Sequence, residues 1–406
     1  MGFFRGKRPA GWPAGILALT ALIFGAGCAT TPMAPAVPYT GDALVDNLAR
    51  RDAALPADRA LWDYRAGAVA LRRGATDTAV EAFDDGLARA AAAMGGPNSD
   101  AAKARRTFGR ESNKPFTGEP YEQVMANFYR GVLYWQAGEP DNARALFRNG
   151  LFLDSDLSAQ TFSGDWVLLE YLDGFITRKE GGDGADAIAR AQALAKRPLP
   201  PVNPSANVMV LVEYGRGPTK YSAGEYGEQL KFRPGTSRVT NARLTVDGRT
   251  VALPPWDDVN YQATTRGGRM MDYILGNQAV FKRRSDTVGD AALVGAIATS
   301  QFGRGEDKDT AALVLAGVGI LSKVISGATT PDADTRAWDN LPQFLSFAAL
   351  DLPPGEHAAV LEFMGDDGVV VSEKTQRFTI NVPAPGGRVS DRAVADVVVF
   401  RSELVK

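Results

Sequence analysis

Two residue types on which many active sites depend are almost missing from this chain. Its 406 residues include a single cysteine, Cys28, and a single histidine, His357. One cysteine permits no internal disulfide and no zinc–thiolate centre. A catalytic triad or a histidine-rich metal site would depend on His357 alone, which follows a turn and is expected to be exposed or half-buried. The composition therefore disfavours many hydrolase and metalloenzyme mechanisms.

An excess of charge of either sign is missing too. The chain carries 45 basic and 47 acidic residues, for a formal net charge of -2. This balance provides no basic field to attract nucleic acid, so no nucleic-acid partner is expected. Hydrophobic residues make up 45% of the chain and charged residues 23%. Such a composition is typical of a globular protein, and the length allows two or three domains.

Common catalytic and cofactor-binding motifs are absent as well. The sequence contains no Gly-x-x-x-x-Gly-Lys-Ser/Thr, no Gly-x-Ser-x-Gly and no His-Glu-x-x-His. The glycines of residues 215–220 follow a predicted strand, but no strong helix start follows them to cradle a phosphate. Acidic turns at 332–334 and 366–367 carry oxygens that suit a cation, although such turns are usually only solvated. We predict no cofactor, no metal and no catalytic residue, and hence no enzyme.

The first 28 residues have the layout of an export signal. Basic residues come first, an uncharged run covers 14–27, and small residues precede Cys28. The run is too short to cross a bilayer comfortably, because a spanning helix needs roughly 20 residues. A cysteine directly after Gly-Ala-Gly resembles the lipobox of bacterial lipoproteins. The resemblance implies that Cys28 is lipidated and becomes the new N-terminus.

Two neighbours of the cysteine bear on this prediction. Gly25 stands where lipoboxes usually carry leucine, so an ordinary signal peptide cut after residues 34–36 is the alternative. Ala29 resembles the signal for sorting to the outer membrane, since retention in the inner membrane usually shows Asp at that position. We predict a periplasm-facing protein anchored in the outer membrane through lipidated Cys28. Residues 29–41 then form a flexible tether.

Residues 42–197 are predicted to be helical, because apolar residues recur there at intervals of three and four. An internal repeat has a period of 64 residues. Its first copy has Gly67, Gly74, Ala79, Phe83, Gly86 and Leu87, which recur as Gly131, Gly138, Ala143, Phe147, Gly150 and Leu151. This spacing resembles the tetratricopeptide repeat, in which small residues let two helices cross closely. A weaker third unit covers 166–195. A chance alignment within a generic helical bundle is the alternative.

Aromatic residues lie on or near the first helices of these units, which line the concave groove when hairpins stack. Tyrosine and tryptophan are enriched where proteins bind proteins, although about half of these residues should simply be core. Because Tyr129 and Trp135 are six positions apart, they cannot both face inward on one ideal helix. The predicted partner-binding groove residues are Trp62, Tyr64, Tyr121, Tyr129, Tyr134 and Trp135.

The second half of the chain is predicted to be rich in strands. A proline-rich linker over 198–206 cannot continue a helix, and the β-rich region follows over 207–406. Asp-Gly between two alternating runs predicts a hairpin. The predicted strands are 207–214, 228–232, 241–246, 249–253, 260–264, 343–350, 358–363, 369–372, 376–382 and 394–401.

A helical hairpin over 272–326 is predicted to interrupt these strands. Its uncharged stretches within 291–321 are far shorter than a spanning helix. They either pack on the rest of the protein or contact a membrane or a partner. We therefore predict an α+β protein, with a TPR-like α-helical repeat domain followed by an antiparallel β-sandwich-like domain that carries a helical insertion.

Taken together, these motifs resemble bacterial tetratricopeptide-bearing envelope lipoproteins. Such proteins tend to occur beside lipoproteins like the curli-secretion channel and the penicillin-binding-protein activators. The resemblance implies an assembly or scaffolding role, and the family assigns no catalytic residues. The segments that carry it are 118–125, 129–131, 143–148, 215–218, 333–342 and 352–355.

The predicted function is that of a non-enzymatic scaffold or assembly factor, anchored in the outer membrane, that binds envelope proteins through its repeats. A structural subunit of an outer-membrane secretion or surface-attachment complex is one alternative, with 272–326 contacting membrane or channel. A cell-envelope polysaccharide-binding protein or enzyme, with the β-rich region as the binding module, is another.

Overall fold

The computed structural model shows an α+β protein with eight helices and ten strands in the part of the chain that it describes. Cys28 and the predicted insertion over 272–326 lie outside that part. In the described ranges, no helix is long and apolar enough to cross a membrane. The described residues are 34–95, 114–155, 165–224, 227, 229–265, 333–384 and 397–405.

In the described part of the chain, seven helices precede the first strand, and six of them form three hairpins. Each hairpin turns through a glycine with positive φ, including Gly74 at 72° and Gly138 at 78°. The hairpins are α2 with α3, α4 with α5, and α6 with α7. The helices are α1 (Ala43–Ala53), α2 (Arg59–Arg72), α3 (Thr76–Met94), α4 (Pro120–Gln136), α5 (Pro140–Ser155), α6 (Val167–Lys179) and α7 (Ala185–Leu194).

The glycines of the 64-residue repeat lie where the two helices of a hairpin cross. A Cβ atom on Gly67 would lie 3.0 Å from the Phe83 ring, and one on Gly131 would lie 2.5 Å from the Phe147 ring. The contact expected from the spacing is therefore present in both copies. The third hairpin places an isoleucine side chain against Gly174 in the same way, at 2.7 Å.

The strands form two four-stranded sheets and one separate hairpin. The first sheet has the order β10-β1-β7-β6, the second has the order β5-β4-β8-β9, and β2 pairs with β3. All strand pairs are antiparallel except β1 with β10, which is parallel. The elements are β1 (Val208–Tyr214), β2 (Thr219–Ala223), β3 (Gln229–Arg233), β4 (Asn241–Val246), β5 (Arg249–Leu253), β6 (Asp257–Asp258), α8 (Val259–Thr265), β7 (Phe344–Leu350), β8 (Gly355–Met364), β9 (Gln376–Val382) and β10 (Val397–Ser402).

Strand β1 is buried along its whole length, because both faces of the first sheet are covered. Met209 and Leu211 belong to a hydrophobic cluster with side chains of the helices. Val210 and Val212, on the opposite face, belong to a cluster with side chains of the second sheet. A strand covered on both faces reads as a continuous apolar run. The helices and the first sheet share one core, so the proline-rich linker does not separate two independent cores.

One predicted strand is in fact helical. Residues 260–264 lie within α8, which begins directly after Asp258. The Asp258 carboxylate accepts hydrogen bonds from the backbone N–H groups of Asn260 at 2.9 Å and Tyr261 at 3.2 Å. This is the bonding of a helix N-cap. The prediction was wrong because the capping aspartate, rather than the short alternation of apolar residues, determines the local structure.

The remaining strand predictions were mostly correct. The differences concern residues 369–372, the two unpredicted strands β2 and β6, and the direction of β10. Residues 369–372 form only an isolated bridge, between Met364 and Val370, and then enter a short 3-10 turn over Ser372–Lys374. Strand β2 was not predicted, because its side chains are mostly exposed and show no buried face. Its backbone is held in strand form by pairing with β3. The parallel pairing of β10 with β1 also departs from the purely antiparallel sheet that was expected.

The single histidine joins two turns of the second sheet. His357 is buried, contrary to expectation. Its Nδ1 lies 2.6 Å from a carboxylate oxygen of Asp247, and its Nε2 lies 2.7 Å from the carbonyl oxygen of Pro353. Both neighbours accept hydrogen bonds, so the doubly protonated ring satisfies both. The hydrogen bond to Asp247 raises the pKa of His357, and the same contact lowers the pKa of Asp247.

We expect alanine at Gly131 to destabilise the fold by about 1–3 kcal/mol, because the added methyl group overlaps the Phe147 ring. Gly95→Ala is the matched control. Gly95 ends α3 at a φ of -83°, and the nearest atom to an added Cβ is 3.5 Å away. Urea denaturation of both variants measures the difference. Equal midpoints for Gly131→Ala and Gly95→Ala would contradict the packing argument.

We expect an NMR titration of the lone histidine to give a pKa above its ordinary value of about 6.5, and Asp247→Asn to lower it. A raised histidine pKa stabilises the fold below the unfolded pKa, and that stability is lost as pH rises through the folded pKa. Unfolding at a series of pH values should therefore show a falling stability above neutrality in the wild type and a flatter profile in His357→Gln. A titration midpoint at or below 6.5 would refute this.

Candidate functional site

One side of the helical hairpins is covered by the chain itself. Side chains of α2, α4 and α6 share one hydrophobic cluster with side chains of β7 and β10. The Tyr129 ring of α4 meets Phe400 of β10 edge to face at 6.0 Å between centroids. Tyr171 of α6 lies 4.3 Å from Phe347 of β7. The first sheet thus occupies the groove that was predicted to receive a partner.

An irregular stretch over 333–342, here called the groove segment, fills the rest of this space. Its Trp338 is fully buried and stacks on Tyr64 with 4.9 Å between ring centroids. The same indole lies 5.8 Å from Tyr129 and 6.1 Å from Phe83. Its Nε1–H donates to Asn340 at 2.6 Å. Trp338 therefore takes the position that a partner's aromatic side chain would take.

Polar contacts fix the groove segment to the helices on both sides of Trp338. Arg336 donates to the Asp58 carboxylate at 2.9 Å and pairs with Asp334 at 2.8 Å. Arg65 donates to the carbonyl oxygen of Ala337 at 2.5 Å and pairs with the Asp339 carboxylate at 3.1 Å. Hydrogen bonds to charged groups are stronger than those between neutral groups. The segment is therefore held by its aromatic anchor and by guanidinium contacts before and after it.

Glu122, at the start of α4, is buried and accepts hydrogen bonds from three donors. Its carboxylate accepts from the backbone N–H of Trp338 at 2.8 Å, from the backbone N–H of Glu119 at 2.7 Å and from Nζ of Lys220 at 2.7 Å. The bond to Glu119 is half of a capping box that starts the helix. One carboxylate thus joins α4, the groove segment and β2.

A second buried carboxylate joins α2 and α4 to the first sheet. Glu213 of β1 accepts from Nε of Arg72 at 2.5 Å, from the Tyr129 hydroxyl at 2.5 Å and from the Ser402 hydroxyl at 2.6 Å. Burial, and then the charge of Glu213, raise the pKa of Tyr129 well above its usual value, so the phenol stays protonated. All four side chains are satisfied by one another. These contacts hold α2 and α4 against the first sheet.

Four of the six predicted groove residues lie in the core. Trp135 contacts Phe175 of α6 at 6.0 Å between centroids, while Tyr129 faces Trp338 and β10. The argument that one of this pair must reach the surface was wrong, because helix α4 is covered both by its neighbouring helices and by the sheet. The residues without surface for a partner are Tyr64, Tyr121, Tyr129 and Trp135.

The other two predicted residues, Trp62 and Tyr134, are only partly buried and line two separate surface cavities. The Trp62 cavity has a volume of about 430 Å³, and the Tyr134 cavity about 450 Å³. The guanidinium of Arg65 lies 4.5 Å from the centre of the Trp62 ring, and that of Arg130 lies 3.5 Å from the centre of the Tyr134 ring. Both aromatic rings are thus held by cation–π contacts at the surface.

The sequence candidates for ion binding take structural roles where they are described. The 215–217 turn packs on the groove segment, with the Gly217 N–H donating to the Leu341 carbonyl at 2.9 Å. The Asp334 carboxylate pairs with Arg336, and Asp367 accepts from the N–H of Val369 at 3.0 Å. Across the described ranges, no group of three or more His, Cys, Asp or Glu side chains is placed to hold a metal ion.

Sequence reasoning missed the residues that organise this region. Glu213 is an acid within an apolar strand pattern, which is itself a signal of a buried partner. Trp338 is a bulky residue in a polar stretch. The sequence cannot identify the partners of either residue, because they lie far away in the chain.

Comparisons with known proteins provide no relative from which a function could be transferred. No family model, curated protein or solved structure matches this chain. The family resemblance noted in the sequence therefore stays a prediction. Any functional conclusion depends on the residues and geometry of the chain itself.

We expect Glu213→Gln to destabilise the protein by about 3–5 kcal/mol, because it leaves the buried guanidinium of Arg72 without its counter-charge. Glu362→Gln is the matched control. It breaks the ion pair with Arg243, at 2.6 Å, in a solvated position where such pairs contribute little. Chemical denaturation compares the two variants. Equal losses of stability would contradict the importance of the buried network.

Proposed function

We propose that this chain is a non-enzymatic envelope lipoprotein that acts as a protein–protein scaffold or assembly factor. In this proposal the lipidated Cys28 anchors it in the outer membrane, facing the periplasm. The export-signal layout of residues 1–28 and the position of the only cysteine support the anchor. The balanced charge of the chain supports protein partners rather than nucleic acid.

We propose further that the three helical hairpins are tetratricopeptide-like and that the two four-stranded sheets form a β-sandwich-like unit. The glycine-to-phenylalanine contacts repeated at Gly67 and Gly131 support the first part. The hydrophobic cluster shared by the inner faces of both sheets supports the second. Repeats of this kind expose helix surfaces that serve as binding platforms.

The observation that carries the proposal is the placement of Trp62 and Tyr134. They are the two predicted aromatic residues that reach the surface, and each lines a cavity beside an arginine. Tryptophan, tyrosine and arginine are the residues most enriched among binding hot spots. Because the inner groove is filled by the first sheet and Trp338, partners are assigned to these two outer cavities.

Site-specific photocrosslinking in the producing cell tests this assignment. A photoreactive phenylalanine analogue at position 62 or 134 should give defined adducts with envelope proteins. Val369, an exposed residue in the connection between β8 and β9, is the matched control position. Cys28→Ser should remove the chain from the membrane fraction and lower the adduct yield, because the tether no longer holds the chain beside its partners.

Trp62→Ala and Tyr134→Ala should lose the same partners while unfolding at nearly the wild-type temperature, since both side chains are partly exposed. Two results would refute the scaffold. One is that no defined adduct forms at 62 or 134, and the other is that the control position gives the same adducts in equal yield.

A further inference from the structure

Two adjoining surface cavities lie where the helices meet the strands. The first, of about 470 Å³, is bordered by the Ser372–Lys374 turn, the start of β9 and the end of β10. The second, of about 440 Å³, is bordered by α1, α2 and the groove segment. Arg72 lines both of them. The two cavities therefore adjoin at Arg72, and together they are called the cleft. The second cavity also shares Thr219 and Asp339 with the Trp62 cavity.

The cleft is locally basic, although the chain as a whole is slightly acidic. Six basic and three acidic residues line it, whereas the whole chain has 45 basic and 47 acidic residues. The basic residues are Arg72, Arg73, Arg216, Lys374, Arg377 and Arg401. The acidic residues are Asp339, Glu373 and Glu403.

Three of these cations are neutralised by carboxylates. Arg72 pairs with Glu213, Arg73 with Asp42 and Lys374 with Glu403. No carboxylate of the described residues forms an ion pair with any of the others, which are Arg216, Arg377 and Arg401.

Arg377 and Arg401 lie on neighbouring elements of the first cavity. Arg377 has Glu362 in its vicinity, but that carboxylate is already paired with Arg243 at 2.6 Å. Arg401 stacks on the Phe378 ring at 4.2 Å and donates one hydrogen bond to the Phe400 carbonyl oxygen at 3.0 Å. Its partial burial lowers its pKa without a compensating carboxylate. A fixed, partly desolvated guanidinium of this kind favours an anionic ligand.

The rest of the lining indicates the class of anion. Of the 11 residues around the first cavity, nine are charged or polar, so few apolar sites exist there for peptide side chains. Neutral polar groups suit the hydroxyls of a sugar. Those of the two cavities are Asn47, Thr219, Thr375 and Gln376, because the side chains of Asn340 and Ser402 already both donate and accept hydrogen bonds within the protein. A ligand that meets both Arg216 in one cavity and Arg401 in the other needs several anionic groups along an extended chain.

We propose that this cleft binds an acidic saccharide, with Arg216, Arg377 and Arg401 pairing with its carboxylate or phosphate groups. The site stands on its own contacts and does not depend on the scaffold function. Guanidinium groups recognise both anions through paired N–H donors. Sugar hydroxyls would meet the amide and hydroxyl side chains between them.

Calorimetric titration of the intact protein tests the proposal with four probes of similar length. Pentagalacturonate carries carboxylates, pentamannose phosphate carries a phosphate, maltopentaose is neutral, and pentaglutamate is an acidic peptide. At least one acidic sugar should bind, and more weakly at higher salt, because added ions screen exposed charges. Maltopentaose should bind at least about tenfold more weakly than that sugar because it lacks the charge-assisted contacts, and pentaglutamate should do so because it lacks the sugar hydroxyls.

Variants then assign the binding to the cleft. Arg401→Gln and Arg377→Gln should each weaken binding of the acidic sugar by about tenfold or more. Arg249→Gln, at an exposed position of β5 that lines neither cavity, should leave the affinity unchanged. Unfolding curves show whether each variant keeps its fold.

Three results would overturn the proposal. They are failure of both acidic sugars to bind, pentaglutamate binding as tightly as either sugar, and an equal loss of affinity in Arg249→Gln. The scaffold function is read separately, from crosslinks at positions 62 and 134, so the failure of one proposal does not carry over to the other.

Discussion

The rest of the structure depends on a carboxylate placed in a strand that is buried on both faces. Glu213 lies near the end of β1, where no water reaches it. An unpaired charge there costs several kcal/mol, so its partners have to converge on it. Those partners come from α2, α4 and β10, in Arg72, Tyr129 and Ser402. The charge of Glu213 therefore fixes how α2, α4 and the parallel strand β10 meet. The four bonded side chains hold the helices against the first sheet.

The contact with the sheet limits the helix surface that remains for a partner. Stacked helical hairpins leave a concave side on which partners usually bind. Here the first sheet covers one side of the hairpins, and Trp338 lies among aromatic rings of α2, α3 and α4. The contacts that an outside peptide would make are made by the chain itself, through stacking and through the backbone bond to Glu122. Free surface is left at the edges of the array, where Trp62 and Tyr134 lie.

Local features of the fold could be predicted from the sequence, and long-range ones could not. The hairpin of Asn241–Val246 and Arg249–Leu253 has the predicted bounds, because alternation and an Asp-Gly turn act within a dozen residues. The contact of Gly131 with Phe147 follows from helical spacing in the same way. Periodicity identifies which face of a helix is apolar, but not what covers it, so the burial of both Tyr129 and Trp135 was missed. The partners of Glu213 are 84 to 189 positions away, beyond the reach of any sequence pattern.

The same packing explains why the net charge of the sequence is a poor guide to the local charge of the surface. Of the described residues that are buried as a whole, eleven are acidic and only Arg130 is a lysine or arginine, although the side chains of Arg72 and Lys220 are also buried against carboxylates. Carboxylates are short and enter the core, where helix starts and guanidinium groups satisfy them. Arginines have long stems that bury their apolar part and keep the charged end near water. Acidic charge is thereby withdrawn into the interior while cationic ends stay at the seam between helices and strands.

A chain with a net charge of -2 can therefore present a basic cleft. The absence of a basic excess in the sequence argues against a field large enough for nucleic acid, but not against a local site for a smaller anion.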